Sequence, residues 1–121
     1  MKLGVGIALA LMLAPPALAA PADGFAAFWP SFAGAAAKDD ANALASMTKL
    51  GPGLGDAGGS FAKFHAASLG ASARRCLAKA KPVRDVDPQG GVSYSAFCGE
   101  VIYVFSKVSG VWKLTDLGAN D

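Results

Sequence analysis

Val92-Ser-Tyr-Ser-Ala-Phe-Cys-Gly-Glu-Val-Ile-Tyr-Val-Phe-Ser-Lys-Val-Ser-Gly-Val-Trp-Lys-Leu-Thr-Asp-Leu117 is the stretch that decides the fold. It is the only part of the chain dense in β-branched and aromatic residues. Gly99 and Ser109-Gly110 punctuate it, so it reads as strand, turn, strand, turn, strand. With Ser109-Gly110 as a two-residue hairpin loop, Val108 pairs with Val111, Lys107 with Trp112, Phe105 with Leu114 and Tyr103 with Asp116. That register gathers Val101, Tyr103, Phe105, Trp112 and Leu114 on one face and carries Asp116 with them. The other face keeps Ser106, Lys113 and Thr115 beside Ile102, Val104 and Leu117. A three-residue loop would set Phe105 with Lys113 and scatter the apolar set, which the period of two disfavours. Upstream, Val92, Tyr94, Ala96 and Cys98 alternate with Ser93 and Ser95, which turns Cys98 toward the apolar side. Gly99 fits either a second tight turn or a bulge in one long bent strand.

Everything before this stretch is Ala-rich and helical in pattern. Met1 to Ala19 reads as a secretory leader: Lys2 is the positive n-region, Leu3 to Leu13 the apolar core, and Ala17-Leu18-Ala19 the small-residue cleavage site after Pro15-Pro16. The apolar run is too short for a retained span, and no stop-transfer charges follow it. No cysteine follows the site, which argues against a lipid anchor. The expected mature protein, residues 20–121, is one free domain of about a hundred residues with a single core. Its location is expected to be periplasmic or secreted. Loss of Lys2 lowers the formal charge of +2 by one. A near-neutral exported domain is no nucleic-acid binder by charge.

Cys76 and Cys98 are the two cysteines. An even count in an oxidising compartment favours a bridge between them, tying a helix to the sheet. A reactive thiol or a metal pair would call for a Cys-x-x-Cys spacing or a histidine neighbour, and neither is present.

Asp23 to Lys38 is the first helical segment, with Phe25, Phe28, Trp29, Phe32 and Ala36 as an aromatic stripe that belongs in a core or a pocket wall. Pro30 lies inside it, so the helix either bends there or begins there. Asp39-Asp40 stop and restart the chain, and Asp40 caps a short helix through Met47 with Leu44 and Met47 inward. Gly53, Gly55 and Gly58 satisfy the spacing G-x-G-x-x-G. A dinucleotide site would need a preceding strand and a βαβ unit, so Gly51 to Gly59 reads instead as a connection or a small anion nest. Ser60 caps a helix carrying Phe61, Phe64, His65 and Leu69 and ended by Gly70. Ser72 caps another, Ala73 to Ala80, stopped by Pro82, with Cys76, Leu77 and Ala80 inward. His65, the single histidine, sits in an apolar stripe without the second histidine or clustered carboxylates that a metal site needs, and neither a metal nor a cofactor is implied. Arg74, Arg75, Lys79, Lys81 and Arg84 form a basic cluster, read as a solvated face that could also meet an anionic surface or an acidic partner. Asp85-Val86-Asp87-Pro88-Gln89-Gly90 opens like a calcium loop, but its twelfth position is Ala96 where a glutamate is required; it reads as a turn after a short strand near Val83.

This order of helices followed by an antiparallel sheet, with Phe25-Ala-Ala-Phe28-Trp29-Pro-Ser-Phe32, Phe61 to Phe64 and Tyr94 to Glu100, resembles small exported domains of the cystatin-like α+β cone, the superfamily of nuclear transport factor 2 and ketosteroid isomerase. The resemblance implies helices packed on a curved antiparallel sheet. It carries no catalytic pair, since the Asp base and Tyr/Asp oxyanion hole of the isomerases map onto no residues here. Two functions are then in view. One is a non-catalytic binding or interaction module whose cone, lined by Trp29, Tyr103, Phe105 and Trp112 with His65 as polar contact, holds a small apolar ligand. The other is a small isomerase- or lyase-like enzyme with His65 or Asp116 as general base.

Overall fold

The computed structural model describes residues 22–120; the leader reading falls on residues 1–19 and lies outside them. Among the described residues, four helices precede four strands: α1 (Phe25–Lys38), α2 (Ala41–Ser46), α3 (Phe61–Ser68), α4 (Ala71–Lys79), β1 (Val83–Val86), β2 (Val92–Cys98), β3 (Val101–Val108) and β4 (Val111–Ala119), with a short 3-10 turn at Pro52–Leu54. The strands form an open antiparallel sheet in the order β1-β2-β3-β4. The chain is thus α+β, as its sequence indicates, with the helices covering one face of the sheet.

α1 is one helix that runs through Pro30. Ala26 and Pro30 are both exposed, so the carbonyl that loses its helical donor lies on the solvent side. Phe25, Phe32, Ala35 and Ala36 are buried, and Phe28 and Trp29 pack beside them, which is the helical stripe of the sequence. Asp39 closes α1 in a left-handed conformation (φ 51°), its amide turned back onto the Ala35 and Ala36 carbonyls. Asp40 caps α2 by accepting the Ala43 amide at 3.2 Å, and Ser60 caps α3 by accepting that of Lys63 at 3.4 Å. α4 begins earlier than Ser72 would have it. Gly70 is the cap residue, and its carbonyl accepts the Arg74 amide at 2.9 Å, so Ser72 falls inside the first turn.

The β3–β4 turn has positive φ at both central residues, 52° at Ser109 and 82° at Gly110, the twist that suits a two-residue hairpin. The expected register holds from Val108↔Val111 through Phe105↔Leu114 and then breaks at a bulge: Tyr103 faces Leu117 and Val104 faces Asp116, leaving Thr115 unpaired. The expectation that Asp116 shares the face of Trp112 and Leu114 is therefore corrected. The extra residue turns Asp116 outward to solvent and brings Leu117 to the core, which spares a carboxylate the cost of burial. The cause lies beyond the hairpin. The chain leaving α2 docks on the edge of β4, where Lys49 donates to the Leu114 carbonyl and Leu114 to that of Met47, each at 2.8 Å. The next turn then presses Gly53 so close that a Cβ there would lie 2.6 Å from the Thr115 carbonyl oxygen. At the other hairpin, Cys98 pairs with Val101 across Gly99-Glu100, with Gly99 at φ 66°, so Gly99 is a turn and not a bulge.

The glycine-rich loop closes on itself: the Gly51 amide donates to the Gly58 carbonyl at 2.9 Å, and a Cβ on Gly58 would stand 2.1 Å from the Gly51 oxygen. Close backbone approach explains that glycine. Asp87 organises the turn before β2 by accepting the Gln89 and Gly91 amides, each at 2.8 Å. Cys76 and Cys98 form the expected disulfide, with Cα atoms 5.8 Å apart, tying α4 to the end of β2. One sheet edge is covered by the chain after α2. The other, β1, has four exposed residues between Pro82 and Pro88. Two-fold pairing of β1 with a second copy, centred on either inner residue, would set Arg84 against Arg84 or Asp85 against Asp85, which discourages edge-to-edge addition.

Candidate functional site

The aromatic residues that the sequence places in the cone do meet, and they meet each other. Phe105 and Tyr103 are buried and Trp112 is 5% exposed. Trp29 stands edge-on to Phe105 with ring centres 5.3 Å apart and stacks on Phe32 at 5.7 Å. Phe25 lies flat on Tyr94 with centres 3.7 Å apart and edge-on to Trp112 at 5.1 Å. The helix-covered face of the sheet is thus occupied by the rings of α1. Tyr103 spends its hydroxyl on the Ser68 carbonyl, and burial pushes its pKa up.

Asp23 locks this arrangement, and nothing in the local pattern marks it beyond its place at a helix start. Its Oδ2 accepts from the Tyr94 hydroxyl at 2.7 Å and from Arg84 Nε at 3.2 Å, and its Oδ1 accepts from the Phe25 amide at 3.0 Å. Its backbone carbonyl takes the Trp112 indole N–H at 2.8 Å. Burial raises the Asp23 pKa, but the hydrogen bonds from Tyr94 and Phe25 and the Arg84 guanidinium outweigh it and hold the group below its ordinary value. Arg84 is accordingly drawn out of the basic cluster that the sequence suggested.

His65 stands apart from the cone residues. Its Nε2 lies 2.8 Å from Asp39 Oδ1, an oxygen that Arg74 Nε approaches at 3.5 Å, so the three side chains join α1, α3 and α4 at the surface. The hydrogen bond with His65 foremost, opposed by partial burial and aided by the Arg74 charge, holds the Asp39 carboxyl below its usual range. The two candidate bases, His65 and Asp116, converge neither with each other nor with Tyr103: His65 engages Asp39, Tyr103 engages Ser68, and Asp116 lies on the far side of the sheet. Among the described residues no group of three or more His, Cys, Asp or Glu side chains is placed to hold a metal ion.

Concavities open on the exterior of the described residues. One of about 510 Å³ follows the disulfide and the α3–α4 corner, from Ser68 and Gly70 to Cys98 and Val101, and its lining carries no charged side chain. A second, about 570 Å³, lies where β2 begins, and Asp23, Asp87 and Lys107 give it mixed charge. The third, about 280 Å³, runs between α1 and α4 over Ala36, Ala37, Ala71 and Ala78, and its charged walls are Arg74, Arg75 and Lys79 alone. Of these cations only Arg74 has a carboxylate partner among the described residues. Arg74 is further fixed by donating to the Leu69 carbonyl at 2.7 Å. The basic cluster of the sequence therefore resolves into a groove of one sign, with Arg84 turned elsewhere. Comparison of the chain with protein-family models, with curated proteins and with solved structures finds no match.

Proposed function

We propose that this protein is an exported, non-catalytic interaction module of the cystatin-like α+β cone class, related in architecture to the nuclear transport factor 2 group, and that it recognises an acidic partner through the α1–α4 groove. The observation that carries this reading is the filled cone. A small apolar ligand there would have to displace the mutually packed rings of Phe25, Phe32 and Phe105, whereas binding at the exterior requires no repacking. The groove adds the chemistry. Arg74 is engaged by Asp39 at the groove's end, and Arg75 and Lys79, over an alanine floor and without a carboxylate partner among the described residues, leave charge that a carboxylate-bearing segment can neutralise. Export is supported by the leader pattern and by the disulfide, which suits an oxidising compartment. Among the described residues no helix is long and apolar enough to cross a membrane.

The test is retention of the mature protein on immobilised polyglutamate at low salt, compared between Arg75→Glu/Lys79→Glu and a charge-matched control, Lys49→Glu/Lys107→Glu. Loss of retention in the first with persistence in the second is expected. Equal loss in both would reduce the effect to net charge and overturn the groove.

A further inference from the structure

The disulfide that ties α4 to β2 stands in an open site. Cys76 and Cys98 are both partly exposed, and both line the cavity of about 510 Å³ whose walls carry no charged side chain. That volume falls in the range that admits a small organic molecule. The site is unobstructed at two of its lining glycines, since a Cβ on Gly70 or on Gly99 would meet no atom within 4 Å. The Phe97 carbonyl oxygen lies 3.6 Å from Cys76 Sγ, an acceptor placed for a thiol proton on that sulfur. Exposed disulfides are the labile ones, because a thiolate can reach them without unfolding the chain.

α4 is the helix that needs this tie. It has nine residues, fewer than the roughly 12–15 at which an isolated helix becomes even marginal. Leu77 is its one fully buried side chain, Ala73 and Ala80 add only small surfaces, and no side chain caps the first turn. Arg75 and Lys79 set like charges on neighbouring turns, and no acid stands in the helix to offset them. Arg74 fastens the beginning, to Asp39 at 3.5 Å and to the Leu69 carbonyl at 2.7 Å. The second half has no such anchor. Leu77 and the bridge from Cys76 hold it to the sheet, and the chain beyond it runs into β1, whose four residues are exposed.

We propose that the Cys76–Cys98 disulfide is an exchange site for a low-molecular-weight thiol, reached through this cavity, and that its opening frees the second half of α4. The thiolate attacks Cys98 Sγ; a new S–S bond forms there as the Cys76–Cys98 bond breaks, and the electron pair leaves on Cys76 Sγ. Cys76 takes a proton from water and donates it to the Phe97 carbonyl. A second thiol then attacks the mixed disulfide, so two small thiols are oxidised to their disulfide as the protein's bridge is reduced to two thiols. The rings of Phe25, Phe105 and Trp112, contributed by α1 and the sheet, keep their mutual packing. Arg75 and Lys79 ride on the freed segment together with Ala78 of the groove floor. Resting on the groove reading above, reduction therefore lowers affinity for the acidic partner.

Millimolar glutathione added to the mature, oxidised protein without denaturant tests this at a pH of about 8, where a free thiol is partly thiolate. The bridge should open at a rate proportional to glutathione and unchanged by urea well below the unfolding transition. In the reduced protein the amides of residues 75–79 should exchange with deuterium about tenfold faster or more, while those of β3 keep their protection. Retention on polyglutamate should fall on reduction and return on reoxidation. A bridge that opens only as urea unfolds the chain, or equal protection of residues 75–79 in both redox states, overturns the proposal; equal retention in both states overturns its link to the groove. An oxidised protein that polyglutamate does not retain at all would sink the groove reading, and the opening rate and amide exchange would still decide the exchange site. Cys76→Ser/Cys98→Ser should show the fast exchange without any thiol, and the two redox states of the wild type carry the test if that variant does not fold.

Discussion

Removing the Asp23–Tyr94 hydrogen bond should uncouple the start of α1 from the sheet, and its cost can be worked from the geometry. Asp23 is 13% exposed as a side chain and Tyr94 is buried, so their 2.7 Å contact is charge-assisted and poorly hydrated. Tyr94→Phe should cost about 1.5–3 kcal/mol, the worth of a hydrogen bond to a charged group. Asp23→Ala strands the Tyr94 hydroxyl and the Phe25 amide together and should cost about 2–4 kcal/mol. The Arg84 contact adds little, since its side chain is 39% exposed. In the double variant the two losses should overlap by about 1–2 kcal/mol. The pH dependence follows from the direction of the shift. A carboxyl held below its ordinary value binds its proton less readily folded than unfolded, so its contribution is complete above about pH 4 and is lost as pH falls through the lower folded value. Tyr94, pushed up first by burial and then by the Asp23 carboxylate, contributes below about pH 10 and loses that contribution as pH rises further. Urea denaturation of the four proteins at pH 6 and in a series down to acid would read both effects. A coupling indistinguishable from zero, or a gap between wild type and Asp23→Ala that stays constant through the acid limb, would refute the reasoning.

Cys76→Ser with Cys98→Ser should lower stability by about 3 kcal/mol, as expected for a bridge spanning this much chain, and a thiol reagent should find no free thiol in the native protein before reduction. Trp112→Ala, which removes a buried ring packed on Phe25 and Tyr94 and the N–H bonded to Asp23, should cost about 3–5 kcal/mol in the same denaturation assay. A loss below about 1 kcal/mol would mean that the ring is not part of a closed core.

The sequence by itself determined whatever is decided within a few residues. Ser109-Gly110 dictates a hairpin because both positions must take positive φ; Asp39 ends a helix by turning its own amide back onto the last carbonyls, and Asp40 and Ser60 start helices by accepting amides one turn on. The period of two in Tyr103, Phe105, Trp112 and Leu114 likewise told which face of the sheet the helices cover, and an even cysteine count told of the bridge. Tertiary structure decided what depends on distant partners. Asp116 turns outward because the chain leaving α2 docks on Leu114 and a bulge follows, an event that no local pattern in β4 encodes. Asp23 becomes the anchor of α1 only when Tyr94 and Trp112, 71 and 89 residues later, are brought to it. Gly58 is glycine because Gly51 passes within contact, which composition cannot distinguish from flexibility. The space between α1 and the sheet is filled because apolar attraction has no direction: a sequence shows that two faces must leave water, and only the packed chain shows that they cover one another.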